Sequence, residues 1–203
     1  MPALLTTVLS LSLGLSLVTA FPAIAQSHNT IETAASESRS LLQQGITAQA
    51  AGEYAAAEAA YRAAIHLEPE DAIGYYNLGN VLADQSQIEG AIAAYQTAIQ
   101  LDPTNADTHY NLGYWLNHQG EVEGAIAAYR EAAKLSPYDA DTYYNLGILL
   151  SDQSQFDEAE VMLRRALMLA PDNDGGRQYL NFVLANKQQV KQLQLPEALL
   201  KNS

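Results

Sequence analysis

The chain has 203 residues, with 23 Asp and Glu against 10 Lys and Arg, so its formal net charge is −13 at pH 7. Nucleic acids and anionic membranes are poor partners for such a chain, because binding to both depends on clustered Lys and Arg. Basic or neutral partners are favoured instead, although the charge could equally serve only to keep the protein in solution. The absence of cysteine excludes disulfides and thiol-based metal or redox sites.

The N-terminal segment has the features of an export signal. Residues 1–25 contain no charged side chain, and an apolar run covers residues 4–18. The Ala-Ile-Ala sequence at 23–25 has the small-x-small form of a signal peptidase site. We predict a cleaved signal peptide over 1–25, which implies export to the periplasm or an equivalent lumen, or secretion. The alternative is a retained membrane anchor, because residues 4–20 approach the length that spans a bilayer.

One short sequence occurs three times at a constant spacing. Residues 75–79 (Tyr-Tyr-Asn-Leu-Gly) return as His-Tyr-Asn-Leu-Gly at 109–113 and as Tyr-Tyr-Asn-Leu-Gly at 143–147, with the same offset each time. Small residues and prolines recur in the same phase: Ala91, Ala125 and Ala159, then Ala98, Ala132 and Ala166, then Pro103, Pro137 and Pro171. A period of about 34 residues with paired helices is the signature of the tetratricopeptide repeat family, which this chain resembles.

The resemblance implies an all-α fold, a right-handed α-solenoid of four helix-turn-helix repeats with a C-terminal capping helix. In the first repeat, Gln44 replaces the leucine of the pattern and Leu41 replaces its aromatic residue. The apolar tail could pack on the solenoid or on a partner. The predicted organisation is a polar spacer at 26–37, repeats at 38–71, 72–105, 106–139 and 140–173, a capping helix at 174–191 and a tail at 192–203.

Small side chains and helix ends explain the repeated pattern physically. Gly79 and the in-phase alanines allow the two helices of a repeat to approach closely, where a larger residue would overpack the interface. The in-phase prolines end the second helices. Glycine suits the turn inside a repeat, and serine is a less typical choice there. These turns are predicted at Gly52-Glu53, Ser86-Gln87, Gly120-Glu121 and Ser154-Gln155, and the helix caps at Asp71, Asn105, Asp139 and Asn173.

The last predicted helix has two unlike faces. Asp174 can cap its start, and Leu180, Val183 and Leu184 fall on one face. A capping helix needs one face that covers the last repeat and another that faces water. We assign the polar, basic face to Arg177, Lys187, Gln188 and Lys191.

No pattern of catalytic or metal-binding residues is present. The four histidines, at positions 28, 66, 109 and 118, lack metal-ligand spacing. Residues 172–175 (Asp-Asn-Asp-Gly) are similar to the start of a calcium loop, but Val183 stands where the closing carboxylate is required. No motif places a base beside a nucleophile. We predict a protein that is not an enzyme and uses no metal or cofactor.

The candidate site consists of first-helix residues that the core does not need. The resemblance implies that first helices line a concave surface that binds a peptide. Three asparagines, one per repeat, resemble the asparagine ladder in the tetratricopeptide superhelix of the O-linked N-acetylglucosamine transferase, which holds a peptide by its backbone. The alternative is that they bond adjacent first helices together as ordinary repeat chemistry. The candidate residues are Tyr76, Asn77, Asn80, Asp84, Asp107, Tyr110, Asn111, Tyr114, His118, Asp141, Tyr144, Asn145 and Asp152.

The charge of this surface favours a basic or neutral peptide. A comparison with the carboxylate clamp of tetratricopeptide co-chaperones fails, because Tyr76, Asp141 and Asn145 occupy slots that should be cationic. We therefore predict a protein-binding scaffold or an assembly factor for protein complexes. One alternative is a structural protein that self-associates. Another is an accessory subunit of an envelope enzyme complex.

Overall fold

All regular secondary structure of residues 32–193, the part described by a computed structural model, is α-helical. The predicted signal peptide, the start of the spacer and the tail from residue 194 onward lie outside the described residues. No helix within 32–193 is long and apolar enough to cross a membrane. The helices are α1 (32–50), α2 (Tyr54–Leu67), α3 (Ala72–Asp84), α4 (Ile88–Leu101), α5 (Ala106–His118), α6 (Val122–Leu135), α7 (Ala140–Asp152), α8 (Phe156–Leu169) and α9 (Asp174–Leu193).

Helix α1 already includes residue 32, the first described residue, which lies before the predicted start of the first repeat at residue 38. Residues 32–37 are therefore helical, where the sequence analysis expected a spacer. Alanine and glutamate in this segment favour helix. Ala34, Ala35 and Ser38 lie three and four positions apart, so they share a face, and all three are at least half-buried. The Ser38 hydroxyl also donates to the Ala64 carbonyl at 3.4 Å.

The chain divides into two compact units between Val81 and Leu82, within α3. The core of the first unit centres on Tyr61, which is buried together with Leu42 and Val81. The Tyr61 hydroxyl donates to Gln49 Oε1 at 2.9 Å. Of the two irregular positions of the first repeat, Gln44 is exposed, whereas Leu41 packs against this core.

In the second unit, small residues allow the paired helices to approach closely. A Cβ on Gly113 would stand 3.1 Å from the Tyr129 ring, and one on Gly147 would stand 2.7 Å from Leu163 Cγ. Leu163 is as fully buried as the tyrosines in the same slot of other repeats. The predicted close approach is therefore confirmed in α5–α6 and α7–α8.

The predicted helix caps are also confirmed. Asn105 Oδ1 accepts from the Thr108 backbone N–H at 3.0 Å. Asp139 accepts from the Thr142 backbone N–H at 3.2 Å. Each bond satisfies a backbone donor that a helix N-terminus leaves without an intrahelical partner. The other two caps are Asp71 with the Ile73 N–H at 3.0 Å and Asn173 with the Gly176 N–H at 2.8 Å.

The turns inside the repeats use the left-handed backbone region. Ser86 and Ser154 have φ of 61° and 58°, close to the 78° and 81° of Gly52 and Gly120. The next backbone N–H then bonds to a carbonyl five positions earlier, for example Gln87 to the Leu82 oxygen at 2.8 Å. This pattern closes a helix end and satisfies its carbonyls.

The carbonyl oxygen of each in-phase proline accepts a hydrogen bond from a different side chain. His109 Nε2 donates to the Pro103 oxygen at 3.0 Å, and Arg165 Nη2 donates to the Pro137 oxygen at 3.0 Å. The Pro171 oxygen accepts from Arg177. His109 is buried, and its hydrogen bond stabilises the loop that precedes its own helix.

Helix α9 packs on α8 through its apolar face, as predicted for a capping helix. Val183 is completely buried, and Leu180 and Leu184 are half-buried. Lys187, assigned from the sequence to the open polar face, instead bonds Asp157 at 2.5 Å and Glu160 at 2.8 Å. These carboxylates on α8 attract the ammonium, so the assignment of Lys187 was wrong.

The start of α9 also differs from the prediction. Asp174 was expected to cap this helix, but it is the first helical residue, and Asn173 accepts the capping bond. The Asp174 carboxylate forms an ion pair with Arg177 instead.

Candidate functional site

The candidate residues are distributed over both units. Tyr76, Asn77 and Asn80 lie in the first unit on α3, where each is half-buried. Asp84 lies in the second unit at the end of α3 and is exposed. The others lie in the second unit, with Asp107, Tyr110, Asn111, Tyr114 and His118 on α5 and Asp141, Tyr144, Asn145 and Asp152 on α7.

A direct hydrogen bond joins α5 and α7. The Asn145 amide nitrogen donates to the Tyr110 hydroxyl oxygen at 3.0 Å. The Tyr110 ring also makes an edge contact with Tyr129, with ring centroids 5.6 Å apart. Burial raises the pKa of Tyr110, and the Asp141 carboxylate raises it further. The phenol is therefore neutral at physiological pH and provides an acceptor oxygen to the amide.

This bond shows the repeat-stacking role of the asparagine at one position and leaves its peptide-binding role a prediction. Asn145 links neighbouring first helices, as the ordinary repeat chemistry requires. The bond uses one of the two amide N–H groups, and an asparagine side chain also has an acceptor oxygen. Asn145 can therefore stabilise the repeat stack and still interact with a peptide backbone.

An equivalent contact joins α7 and α9. The Tyr144 and Tyr179 rings meet edge to face, with centroids 6.0 Å apart. Burial raises the pKa of Tyr144, and Tyr179 adds to this effect. Each contact pairs a tyrosine with the residue 35 positions later, Tyr110 with Asn145 and Tyr144 with Tyr179.

Tyr179 belongs to the same series of contacts between first helices and was not predicted from the sequence. The repeat period contained the signal, because Tyr179 follows Asn145 by one period, as Asn145 follows Asn111, and so occupies the ladder position of α9. The correspondence with the asparagines was hidden because this position of α9 holds tyrosine and not asparagine. Helix α9 therefore extends the row of first helices in the second unit.

Aromatic rings form a continuous group on α5. Tyr114 is 47% exposed and contacts Trp115 at a perpendicular angle, with ring centroids 5.0 Å apart. Trp115 contacts the His118 ring at 5.6 Å. Across residues 32–193, no three His, Asp or Glu side chains are arranged to hold a metal ion. The side chains described above offer hydrogen bonds, aromatic contacts and charge.

The charges are separated by helix. Helices α3, α5 and α7 contain aspartates but no Lys or Arg. Several cations of the second helices pair with nearby acids, as in the three bonds of Arg130 to Glu158 and the Glu160 pair with Arg164. The Lys and Arg side chains of the described residues lie on α1, α2, α6, α8 and α9: Arg39, Arg62, Arg130, Lys134, Arg164, Arg165, Arg177, Lys187 and Lys191.

Comparison with solved structures places this arrangement among known proteins. The MamA protein superposes with a TM-score of 0.70 and 23% identity, over 75% of this chain and 83% of that one. YrrB, described as a TPR protein with an unusual peptide-binding site, superposes with a TM-score of 0.68 and 22% identity, over 73% of this chain and 76% of that one. PilF of Pseudomonas aeruginosa superposes with a TM-score of 0.65 and 21% identity, over 77% of this chain and 72% of that one. At these identities the likeness shows the fold alone.

Family models match most of the described chain. The TPR repeat model matches residues 50–86, 79–118 and 116–154, and the Tetratricopeptide repeat model matches 140–173. A search of curated proteins found no match. The predicted fold class, an all-α solenoid of helical pairs, is confirmed. Proteins of this kind are generally non-catalytic modules that bind proteins or peptides. The chain belongs to the tetratricopeptide repeat family.

Proposed function

We propose that the protein is a non-catalytic interaction scaffold, or an assembly factor, that holds a neutral or basic segment of a partner protein. The binding surface is the first-helix face of the second unit, formed by α5 and α7. The family supports this role, since stacked repeats offer extended surfaces for other polypeptides. The peptide-binding site described for YrrB agrees with it.

The observation that carries this proposal is the separation of charge between helices. Asp107, Asp141 and Asp152 are exposed on α5 and α7, and neither helix bears a Lys or Arg. A carboxylate-rich ligand would meet repulsion here, whereas Lys or Arg side chains would be attracted. Such complementarity increases the association rate and selects against acidic partners.

Tyrosine and asparagine side chains supply the remaining contacts. Tyr114 is exposed, and Tyr110 and Tyr144 are held in place by their neighbours on the next helix. Tyrosines fixed in this way are common energetic centres of protein interfaces. Asn111 and Asn145 carry amide groups that match the donors and acceptors of a peptide backbone.

Site-specific crosslinking in the producing cell tests the proposal. A photo-crosslinking benzophenone amino acid is placed at position 114, on α5, and in a matched protein at position 161. Val161 is a suitable control because it is 58% exposed on α8. We expect a partner to be captured from position 114 and not from position 161. Equal capture from both positions, or none from position 114, would refute binding at this surface.

Export is part of the proposal, because the predicted signal peptide sets the compartment of the partner. N-terminal sequencing of the protein isolated from its native source tests it. We expect the mature chain to begin at Gln26, directly after the Ala-Ile-Ala sequence at 23–25. A chain that retains residue 1 would instead support the membrane-anchor alternative.

A further inference from the structure

Three helices of the second unit carry a partly exposed apolar side chain at the same position of the repeat. These residues are Tyr114 on α5, Ile148 on α7 and Phe182 on α9, each one repeat period after the last. Tyr114 is 47% exposed, Phe182 is 53% exposed and Ile148 is half-buried. We call these three side chains the apolar row.

The contacts between helices place the apolar row on one wall. The Tyr110–Asn145 bond sets α5 beside α7, and the Tyr144–Tyr179 contact sets α7 beside α9. Phe182 follows Tyr179 by three positions, so both lie on the same side of α9. By similar spacing, Tyr114 and Ile148 each lie one turn after the tyrosine that contacts the next helix.

We propose that the apolar row binds the apolar face of an amphipathic, basic helix of the partner, and that α9 forms part of the binding wall. This inference rests on the proposed function and adds the form of the ligand. Helix α9 then has two roles, because it covers the last repeat and also contributes Phe182 to the binding wall.

The spacing of the wall suits a helical ligand. Neighbouring packed helices lie about 8–10 Å apart. Residues seven positions apart on a helix share a face and are separated by about 10 Å along its axis. A ligand helix that crosses α5, α7 and α9 can therefore present one apolar side chain to each member of the row. In a fully extended strand, about 10 Å corresponds to three residues, and side chains three positions apart point to opposite faces. A strand would therefore turn its side chain away from the middle member of the row.

Charge specifies the rest of the ligand. Asp107 and Asp141 are exposed in the first turns of α5 and α7, and neither helix carries Lys or Arg. The cations of the wall lie on α9, where Arg177 pairs with Asp174, Lys187 pairs with Asp157 and Glu160, and Lys191 lies in the last turn. Lys or Arg residues that flank the apolar face of the ligand would be attracted to these carboxylates. An acidic amphipathic helix of equal apolarity would be repelled.

The single tryptophan provides the readout. Trp115 contacts Tyr114, a member of the apolar row, with ring centroids 5.0 Å apart. A ligand that covers Tyr114 therefore changes the surroundings of the indole. The test uses the full chain and a synthetic Leu/Lys peptide of about 18 residues with its leucines on one helical face. A second peptide has serine in place of every leucine, and a third has glutamate in place of every lysine.

We expect the Leu/Lys peptide to shift the Trp115 emission with saturation and the other two peptides to bind at least tenfold more weakly. Phe182→Ala should reduce the affinity for the Leu/Lys peptide about tenfold, as truncation of a central aromatic contact typically does. Phe182→Leu should retain most of the affinity. The matched control is Val161→Ala, which removes an apolar side chain of similar exposure from α8 and should leave the affinity unchanged.

Equal affinity of Phe182→Ala and Val161→Ala would overturn the inference, as would equal binding of the serine-containing peptide. Because Phe182 is exposed, neither result can be attributed to loss of the fold, and circular dichroism checks this directly. If the serine-containing peptide binds and crosslinks to position 114, the proposed function stands and the helical ligand is excluded. If none of the peptides binds and position 114 captures no partner, both proposals fail.

Discussion

The Asn145 amide donates a hydrogen bond to the Tyr110 hydroxyl at 3.0 Å, and this bond joins the first helices of two successive repeats. Both side chains are half-buried, so breaking the bond leaves a polar group with reduced access to water. We expect Tyr110→Phe to reduce the free energy of unfolding by about 1 kcal/mol.

A double-mutant cycle isolates this bond. With Asn145→Ala as the second change, the coupling energy from urea unfolding should be about 1 kcal/mol. Tyr114→Phe, on the exposed tyrosine of the same helix, should stay within about 0.5 kcal/mol of the wild type. If the effects of Tyr110→Phe and Asn145→Ala on the free energy of unfolding were additive, the bond would not be holding the repeats together.

Gly147 tests the close approach of α7 and α8. A Cβ at this position would stand 2.7 Å from Leu163 Cγ and 3.3 Å from the Leu163 backbone nitrogen. Because the backbone cannot yield as a side-chain tip can, we expect Gly147→Ala to destabilise the protein by about 1–3 kcal/mol in chemical unfolding.

The control for this prediction is Gly90→Ala, also within a helix. Its nearest contact is the Leu82 side-chain tip, at 3.3 Å. The gain in helix propensity, about 0.5–1 kcal/mol, should offset that contact. A Gly147→Ala protein as stable as Gly90→Ala would mean that the helices can separate without cost.

Ser86 and Ser154 offer a stabilising change. Both have a positive φ, which glycine adopts without the steric cost that a Cβ imposes. Relief of the left-handed strain, about 1–2 kcal/mol, exceeds the unfolded-chain entropy that glycine adds, about 0.4–1 kcal/mol, so Ser86→Gly and Ser154→Gly should each raise the Tm. The reverse change, Gly120→Ser, should lower the Tm. An unchanged or lower Tm in both glycine variants would contradict the expected strain at these serines.

Lys187 makes the attachment of α9 dependent on pH. Hydrogen bonds to Asp157 and Glu160 raise the pKa of Lys187, and bonds from Lys187 and Arg164 lower the pKa of Glu160. The contribution of Lys187 to stability is complete below its ordinary pKa of 10.5 and is lost as the pH rises through its raised pKa. The contribution of Glu160 to stability is complete above its ordinary pKa of 4.5 and is lost as the pH falls through its lowered pKa.

We therefore expect the Tm difference between the wild type and Lys187→Met to be largest between pH 4.5 and 10.5 and to shrink outside that range. At neutral pH, amide hydrogen exchange should show faster opening of α9 in this variant. Lys191→Met, on the same helix, is the control and should leave exchange unchanged. A Tm difference that does not vary with pH would exclude the ion pairs as its cause.

The features that the sequence predicted correctly depend on local chemistry. The caps at Asn105 and Asp139 follow from side-chain oxygens that reach nearby backbone N–H groups. Gly147 had to be small because Leu163, which is buried on the next helix, packs directly against it.

Contacts between distant residues were harder to predict. Lys187 was assigned to the open face because its position on α9 suggested water, and its partners Asp157 and Glu160 belong to a different helix. Tyr179 interacts with Tyr144 only because the repeats stack. The role of the three asparagines could not be decided from the sequence, because an amide can bond to the backbone of a ligand and to a neighbouring tyrosine equally well.

The turns inside the repeats alternate along the chain: glycine at 52 and 120, serine at 86 and 154. The residues around the serines are identical, since Asp-Gln-Ser-Gln occurs at both 84–87 and 152–155. Each kind of turn thus returns in every second repeat. Duplication of an ancestral gene segment that already encoded two repeats would leave this alternation, with the strained serine copied as part of the larger block.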